Sequence, residues 1–230
     1  MKKNILIVGG SSGIGLELVR LLQDQYEIYT ASRNPGPLSD MNVTHLPMDV
    51  TQELPDLGGL PEKLDAFVYC PGSINLKPFK MLSPEAFQKD LEINFNGLIR
   101  VLQAVMPRFS EGASLVFFST VAVGSGMPFH TSVAASKGAI EGFARSLAAE
   151  YAPRLRVNVI APSLVDTPMA SRLLSNDRKR EMMAERHPLK RTGTPEDIAR
   201  MAAFLLSAEN GWITGQVLGV DGGISTLNIS

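Results

Sequence analysis

The sequence predicts an α/β protein whose single domain is built on a doubly wound parallel sheet with helices on both faces. Short apolar runs alternate with segments of helical spacing from one end of the chain to the other. A glycine-rich turn directly follows the first apolar run. The chain of 230 residues has the length of one α/β domain, and we therefore expect one domain over residues 1–230.

The predicted strands are short, continuous apolar runs, which is the pattern of strands buried on both faces of a parallel sheet. In chain order they are Ile5–Val8, Tyr26–Ala31, Val43–Leu46, Ala66–Cys70, Leu115–Phe118, Arg156–Ile160 and Val217–Val220. Because helical segments separate most of these runs, we expect parallel strands connected by helices that cover the sheet.

The predicted helices are marked by apolar spacing and by capping residues. Two of them begin at sequences that place proline at the first helical position, Ser83-Pro84-Glu85 and Thr194-Pro195-Glu196. The four helices are Ile14–Gln23, a helix from Ser83 to about Phe109, Ser132–Tyr151, and a helix from Thr194 to about Leu206.

Three segments are predicted to lie outside these elements. Asn34–Asp40 and Pro55–Pro61 contain proline and glycine and are predicted to be loops. Pro168–Leu189 is the most charged stretch of the chain, which predicts a solvated helix face. Its position between two regular blocks also permits a mobile lid over a site, and both interpretations stay open at this point.

The charge and composition exclude several classes of function. Lys plus Arg total 22 and Asp plus Glu total 23, so the chain lacks the basic excess of proteins that bind nucleic acids or membrane surfaces. With Cys70 as the only cysteine and three widely spaced histidines, we expect neither a disulfide nor a metal site. The first apolar run is too short for a signal peptide, and no run reaches the roughly 18 residues of a membrane span. We therefore predict a cytoplasmic protein.

The glycine-rich turn, Gly9-Gly10-Ser11-Ser12-Gly13-Ile14-Gly15, lies between the first strand and the first helix. Glycines at such a junction let the backbone approach a pyrophosphate, and the helix N-terminus supplies N–H groups and a partial positive charge. A turn without a ligand is the alternative, but this position strongly favours a dinucleotide site in a Rossmann-type fold. The predicted binding residues here are Gly9, Ser11, Ser12, Gly13, Ile14 and Gly15.

The end of the second strand indicates which dinucleotide is bound. Folds that take NAD place an acidic residue there for the ribose 2′-hydroxyl, whereas this chain reads Thr30-Ala31-Ser32-Arg33-Asn34. Ser32 and Arg33 suit a 2′-phosphate instead, since a guanidinium matches phosphate geometry. We therefore predict NADP(H), with a solvated loop arginine as the alternative reading of Arg33.

At this level of detail the chain resembles the short-chain dehydrogenase/reductase family over almost its whole length, close to the 3-oxoacyl-(acyl-carrier-protein) reductases. The family's TGxxxGIG corresponds to Val8–Gly15, and its Pro-Gly segment beside the nicotinamide corresponds to Pro162–Thr167, with Ser163 in place of Gly. The resemblance implies further cofactor-binding residues, namely Asp49, Val50, Gly72, Lys137, Val165 and Thr167. It also implies catalysis by Asn94, Thr120 and Lys137, with Thr120 at the position of the family's serine.

The principal departure from the family is catalytic. The family carries a Tyr-x-x-x-Lys pair, which places both side chains on one helix face because residues four apart are neighbours there. This chain reads Thr131-Ser132-Val133-Ala134-Ala135-Ser136-Lys137, so the lysine is kept and Val133 stands at the tyrosine position. No shift of register restores the pair, since the tyrosines are Tyr26, Tyr29, Tyr69 and Tyr151.

The source of the catalytic proton is therefore open. A positioned acid contributes about 10²–10⁴-fold to a rate, while orientation and oxyanion stabilisation are separate contributions. The substitute donors are the Thr120 hydroxyl, a water held by Asn94 and Lys137, or His130. The alternatives are that His130 is a surface loop histidine and that Lys137 only binds the nicotinamide ribose.

Two functions follow from these residues. The first is an NADP(H)-dependent oxidoreductase that transfers hydride between the nicotinamide and a small carbonyl or alcohol, including a 3-oxoacyl thioester. The alternative is a cofactor-binding homologue without turnover, acting as a regulatory or partner subunit. The small residues of Ser132–Tyr151 and the segment Thr214–Gly223 resemble the family's subunit interfaces, which implies a homodimer or homotetramer, unless the small face packs only on its own sheet.

Overall fold

The computed structural model describes residues 2–228, and these contain one seven-stranded sheet in which all strands are parallel. Met1, Ile229 and Ser230, at the ends of the predicted domain, lie outside the described residues. The spatial order of the strands is β3-β2-β1-β4-β5-β6-β7. They are β1 (Lys3–Val8), β2 (Tyr26–Ser32), β3 (Thr44–Pro47), β4 (Leu64–Tyr69), β5 (Phe109–Phe118), β6 (Leu155–Pro162) and β7 (Val217–Val220).

Seven helices connect these strands within the described residues. The predicted capping sequence at Thr194 is confirmed, because the Thr194 hydroxyl accepts from the Asp197 N–H while the Asp197 carboxylate accepts from the Thr194 N–H. The helices are α1 (Gly13–Leu22), α2 (Pro84–Leu91), α3 (Gly97–Val105), α4 (Ala122–Ser125), α5 (Thr131–Tyr151), α6 (Asp177–Glu185) and α7 (Pro195–Leu206).

Both faces of the sheet are buried, which confirms the doubly wound prediction. The central strands alternate their side chains between two apolar clusters, so that Leu6 and Phe67 belong to one cluster while Ile7 and Val68 belong to the other. Helices α3 and α5 contribute to the first cluster, and α1 and α7 contribute to the second. These continuous apolar runs are the reason that the strands could be recognised in the sequence.

The segment predicted as one helix from Ser83 to about Phe109 differs in the structure. It forms α2 and α3, joined by one π-helical turn at Glu92–Asn96, and β5 already begins at Phe109. Pro107 lies in a short 3-10 turn after α3, where proline is tolerated although it lacks the N–H that continues an α-helix. No pattern of apolar residues marks the π turn, and the buried polar side chain of Asn94 lies within it.

The strand order creates a crevice at the carboxyl ends of β1 and β4. From β1 the chain builds outward to β2 and β3, and from β4 it builds in the opposite direction to β7. In open α/β sheets, ligands bind where the order reverses in this way. Among the described residues, no helix combines the length and apolarity that crossing a membrane requires.

Candidate active site

A cleft of about 790 Å³ lies at the carboxyl ends of the central strands. Its walls come from the segments that follow the first six strands, β1 to β6, and from α5 and α6. Every predicted cofactor-binding residue lines it: Gly9, Ser11, Ser12, Gly13, Ile14, Gly15, Ser32, Arg33, Asp49, Val50, Gly72, Lys137, Val165 and Thr167. The structure therefore brings together residues that are spread over more than half of the sequence.

The glycine turn forms a compact backbone cradle at the start of α1. Gly13 has a φ of +54°, a conformation that side chains rarely adopt. A Cβ at Gly15 would lie 2.3 Å from the carbonyl oxygen of Gly9, so no larger residue fits there. Ser12 precedes α1 without capping it through its side chain, and the helix N-terminus borders the cleft. These features fit a dinucleotide pyrophosphate, which helix N–H groups bind.

The rim of the cleft at the end of β2 carries the guanidinium group of Arg33. The Arg33 side chain is exposed and makes no hydrogen bond or ion pair within the described part of the chain. The neighbouring Ser32 hydroxyl is engaged, since it donates to the carbonyl oxygen of Asn34 at 2.8 Å and lies 2.9 Å from Nε2 of His45. Arg33 is thus the more available of the two predicted phosphate ligands.

Asp49 follows β3 and lines the same cleft. Its Oδ1 accepts hydrogen bonds from the Thr51 N–H at 2.9 Å and from the Thr51 hydroxyl at 2.8 Å. These bonds hold the pKa of the Asp49 carboxyl below its usual value, with a smaller contribution from the charge of Arg33. The carboxylate is therefore fixed and ionised where the resemblance implies adenine contact.

Lys137 lies on α5 with its ammonium group buried beneath the cleft. Its Nζ donates to the carbonyl oxygen of Phe118 at 2.9 Å, at the end of β5. Burial lowers the pKa of Lys137 to about 8, against the opposing influence of Cys70 and Asp90. An amine with a pKa near neutrality can change its protonation state during a reaction cycle.

Val133 and Thr120 complete this part of the wall. Val133 lies one helical turn before Lys137, is buried, and presents an apolar side chain to the cleft. The Thr120 oxygen accepts from the Ala122 N–H at 3.3 Å, which leaves its hydroxyl proton able to donate into the cleft. The predicted catalytic threonine and lysine therefore line the same cavity as the predicted cofactor residues.

Asn94, the third predicted catalytic residue, is fully buried and does not line the cleft. Its Nδ2 donates to the carbonyl oxygen of Asp90 at 2.8 Å, which lies four residues earlier in the helical segment. The same nitrogen lies 2.9 Å from the Ser73 hydroxyl and 3.1 Å from that of Ser136. This side-chain bond coincides with the π turn, since a group inserted into the helical ladder widens it.

A buried polar network around Asn94 was not predicted from the sequence. The Asp90 carboxylate is 2 % exposed and accepts from the hydroxyls of Ser73 at 2.6 Å and of Ser132 at 2.5 Å. The sequence does contain one signal of this network, which is polar residues spaced four apart. Asp90 and Asn94 share one helix face in this way, and Ser132 and Ser136 share another. The two faces meet because α2 packs against α5.

A second polar pair that sequence reasoning missed joins Ser163 and His187 at the opposite wall. The Ser163 Oγ lies 2.9 Å from Nε2 of His187, and both residues line the cleft. The two residues are far apart in the sequence, so no local spacing could reveal the pair. The substitution of Ser163 for the family's glycine was its only sequence signal.

None of the four tyrosines lines the cleft. Tyr69, the one nearest the site in sequence, donates its hydroxyl to the carbonyl oxygen of Ile93 at 2.7 Å. Burial raises the pKa of Tyr69 well above its usual value. A phenol is therefore missing from this cavity, in agreement with the sequence reading at Val133.

The charged segment Pro168–Leu189 borders the cleft with both apolar and polar side chains. Helix α6 exposes its charged residues, which confirms a solvated helix face. From the same segment, Met169, Leu173 and Met183 line the cleft, and His187 is buried against it. The segment thus forms a wall of the cavity. Among the described residues, no three His, Cys, Asp or Glu side chains cluster as metal ligands.

Comparisons with known proteins agree with this architecture. A family model described as enoyl-(acyl carrier protein) reductase matches residues 40–225. The chain is 31% identical to the 3-oxoacyl-(acyl-carrier-protein) reductase FabG of Chlamydia pneumoniae, over 97% of this chain and 97% of that protein.

Two solved structures extend the likeness to the whole fold. The structure of aldohexose dehydrogenase from Thermoplasma acidophilum aligns with a TM-score of 0.87 and 26% identity, covering 100% of this chain and 96% of that one. The structure of ElxO with NADP bound aligns with a TM-score of 0.83 and 25% identity, covering 99% of this chain and 100% of that one.

Proposed function

Because this chain belongs to the short-chain dehydrogenase/reductase family, we propose that it is an NADP(H)-dependent oxidoreductase acting on a carbonyl or alcohol group. The observation that carries the proposal is that the glycine cradle and the Thr120–Lys137 pair border one continuous cavity. A cradle for a dinucleotide therefore adjoins groups that can bind a carbonyl oxygen.

The preference for NADP(H) rests on the rim around Arg33. The exposed guanidinium lacks a protein partner in residues 2–228, and no acidic residue stands at the end of β2 to bind a ribose 2′-hydroxyl. Arginine pairs with phosphate through two parallel hydrogen bonds. The NADP bound by the structural relative ElxO is consistent with this assignment.

The mechanism follows from the positions of the polar groups. A bound nicotinamide supplies the hydride chemistry when it occupies the cleft. The Thr120 hydroxyl donates to the substrate oxygen and orients it, and the Lys137 ammonium adds positive charge beside developing negative charge. Asn94 and Asp90 hold the π turn and α5 in place, so they position the site without touching the substrate.

The substrate class that we propose is a 3-oxoacyl thioester or a similar apolar ketone. The far end of the cleft presents Met127, Met169, Leu173 and Met183, which suit an acyl chain because thioether side chains adapt to irregular apolar surfaces. The curated relative from Chlamydia pneumoniae is a 3-oxoacyl-(acyl-carrier-protein) reductase, which supports the same class.

The second candidate function, cofactor binding without turnover, is favoured by one observation. Val133 places an apolar side chain where the family has its phenol, and no tyrosine lines the cleft. A protein of this kind would bind NADPH and serve a partner or regulatory role.

We also propose a homo-oligomer, a dimer or a tetramer. The edge strand β7 is only half-buried although it carries Val217, Leu218 and Val220, and Trp212 nearby is fully exposed. Apolar surface of this extent at a sheet edge is typical of a subunit interface. Sedimentation velocity over a range of protein concentrations tests this, and a monomer at every concentration contradicts it.

The main experiment combines turnover and binding. NADPH oxidation is followed by absorbance with 3-oxoacyl thioesters and simple ketones, and NADPH binding is measured by fluorescence on the same sample. The proposed oxidoreductase predicts both binding and turnover. Tight binding with no turnover of any substrate supports the second function, and absence of binding contradicts both.

A further inference from the structure

The cleft contains a serine and a histidine arranged as a proton-transfer pair. The Ser163 Oγ lies 2.9 Å from Nε2 of His187, within the range of a hydrogen bond. The His187 ring is 3 % exposed, while Ser163 is half-buried and borders the open cavity. Both side chains therefore border the space that a substrate would occupy, and Ser163 is the more exposed of the two.

The hydrogen bonds of His187 define its tautomer. Its Nδ1 lies 2.8 Å from the carbonyl oxygen of Met183, and a carbonyl can only accept. The proton of the neutral ring is thus on Nδ1, which leaves Nε2 as an acceptor for the Ser163 hydroxyl. A base whose second nitrogen is fixed by a third group is the arrangement that activates hydroxyls in enzymes.

The ring of His187 is also held from behind. Gly222 packs against it, since a Cβ at Gly222 would lie 3.6 Å from the Cβ and Cδ2 atoms of His187. Burial tends to raise the pKa of the nearby Asp221 carboxyl, but hydrogen bonds from Ser225 and from the Gly223 N–H, with a smaller contribution from His187, hold it below its usual value. A carboxylate therefore lies close to the imidazole.

Ser163 lies beside the predicted oxygen-binding residue. Strands β5 and β6 run in register, with Phe118 opposite Ile160. Beyond the strand ends, the Val121 N–H donates to the carbonyl oxygen of Pro162 at 3.1 Å. Thr120 and Ser163 are each one residue away from this bond, so the two residues lie near each other in the cleft wall.

We propose that Ser163 exchanges the proton with the substrate oxygen, with His187 supplying or receiving it through the Ser163 hydroxyl, in place of the phenol missing at Val133. This inference rests on the proposed oxidoreductase function. Ser163 is the catalytic group because it contacts the substrate, and His187 acts through it. Of the other polar groups that line the cleft, Lys137 donates to Phe118, and half-buried His130 has its Nδ1 2.7 Å from the carbonyl oxygen of Pro128 and no hydroxyl partner among the described residues.

The proton and hydride balance in both directions. In alcohol oxidation, the alcohol proton moves to the Ser163 oxygen and the proton of Ser163 moves to Nε2 of His187, while a bound oxidised dinucleotide would take up the hydride from carbon. In carbonyl reduction, protonated His187 returns its proton to Ser163 while the Ser163 proton passes to the substrate oxygen, and a bound reduced dinucleotide would supply the hydride to carbon. His187 then exchanges its proton with solvent.

The kinetic test compares substitutions of Ser163. Ser163→Ala is expected to lower kcat by about 100-fold or more, the lower range for a lost acid, with the Kd for NADPH changed less than about twofold. Ser163→Thr keeps a hydroxyl and is expected to recover most of the rate. Ser146→Ala, on the exposed face of α5, is the matched serine control and is expected to retain the wild-type kcat. His187→Gln is expected to lower kcat to the same level as Ser163→Ala.

A spectroscopic measurement without turnover examines the pair directly. Long-range ¹H–¹⁵N spectra of the three histidines, with His187 assigned through His187→Gln, are expected to show Nδ1 protonated and Nε2 unprotonated in the neutral ring. Ser163→Ala is expected to shift the Nε2 resonance alone. The proposed proton relay through Ser163 is overturned if the neutral His187 ring is protonated on Nε2. It is also overturned if the Nε2 resonance does not change in Ser163→Ala.

The outcomes separate the inference from the function on which it rests. If the wild-type protein reduces a substrate and Ser163→Ala has the same kcat, the relay is overturned and the oxidoreductase function is supported. A wild-type protein that binds NADPH but reduces no substrate overturns the function and the relay together. Loss of kcat in Ser163→Ala and recovery in Ser163→Thr, with NADPH binding intact, support the relay.

Discussion

The Nζ of Lys137 donates a 2.9 Å hydrogen bond to the carbonyl oxygen of Phe118, so the end of β5 holds the buried ammonium against the floor of the cleft. One turn earlier on the same helix, Val133 offers no group to which that charge could couple. The Lys137 ammonium is therefore kept, while the tyrosine phenol that the family places at position 133 is missing. A phenol placed at position 133 should therefore respond to this charge, and the buried lysine should affect stability.

Val133→Tyr is expected to raise kcat for carbonyl reduction. A phenol at this position would lie one turn from Lys137, whose positive charge lowers a phenol pKa and favours proton transfer. A positioned acid is worth about 10²–10⁴-fold, and the relay at Ser163 would already provide part of this, so we expect a gain of about tenfold. Steady-state NADPH oxidation measures it. Val133→Phe is the matched control, and an equal gain with phenylalanine would attribute the effect to packing.

Lys137 is expected to make stability depend on pH in a defined window. Burial lowers its pKa to about 8 from 10.5, so between these values the unfolded chain binds a proton that the folded protein does not. Stability therefore rises with pH across this window, and the cost of burying the charge is full below pH 8. At about 1.4 kcal/mol per pKa unit, wild type should gain roughly 2–3 kcal/mol relative to Lys137→Met between pH 7 and pH 10.5.

Urea unfolding at several pH values measures this difference. Lys63→Met, which replaces an exposed lysine, serves as the control and is expected to differ from wild type by the same amount at every pH. A constant difference between wild type and Lys137→Met would show that the lysine has the same pKa in both states.

Arg33→Ala is expected to weaken binding of NADPH about tenfold while leaving the weaker binding of NADH unchanged. A charge-assisted hydrogen bond is worth about 1.5–3 kcal/mol, and the exposure of Arg33 reduces its contribution. Fluorescence titration with both cofactors gives the ratio of the two Kd values. Arg178→Ala, with the same change in charge on exposed α6, should keep the wild-type ratio; equal losses in both variants would indicate a general electrostatic effect.

Gly15→Ala is expected to destabilise the protein by at least about 3 kcal/mol, because the new methyl group would lie 2.3 Å from the backbone oxygen of Gly9. The matched substitution Gly142→Ala lies in the interior of α5, where nothing lies within 4 Å of the added Cβ. It is expected to stabilise by about 0.5–1 kcal/mol through helix propensity. Thermal unfolding compares the two, and a well-folded Gly15→Ala variant would contradict the close approach.

The sequence predicted most of the fold and the cofactor side of the cleft, for physical reasons. Strands such as Ile5–Val8 are apolar throughout because both faces are covered, and the glycines after β1 are required by a local backbone approach. Local patterns of this kind can be recognised in a single sequence. The family resemblance supplied Asp49, Asn94 and Lys137.

The parts that could not be predicted depend on contacts between distant segments. Ser163 and His187 meet only because β6 and the segment after α6 close on the same cavity, and Asp90 meets Ser132 only because α2 packs on α5. A buried carboxylate on an otherwise exposed short helix also contradicts the usual hydrophobic pattern. The π turn at Glu92–Asn96 follows from the Asn94 side chain, whose effect on the backbone has no periodic signature.

Asp90→Asn connects the buried network to the titration of Lys137. The carboxylate accepts from Ser73 and Ser132, and its charge raises the pKa of Lys137 against the effect of burial. An amide removes that charge while keeping one acceptor oxygen, so the pKa of Lys137 should fall below about 8 and the rise in stability should begin at lower pH. Comparing Asp90→Asn with the double variant that also carries Lys137→Met isolates this change.

The same variant should lose stability at neutral pH, because one of two buried hydroxyls loses its acceptor at a cost of about 1–3 kcal/mol. A double-mutant cycle of Asp90→Asn with Ser132→Ala is expected to show a coupling of about 0.5–3 kcal/mol, since the two groups are in direct contact. Additive losses in that cycle would mean that the bond contributes nothing to folding. A third outcome is a clear coupling between Asp90 and Ser132 with no change in the pH range over which stability rises. Asp90 would then stabilise the fold through its hydrogen bond without affecting the pKa of Lys137.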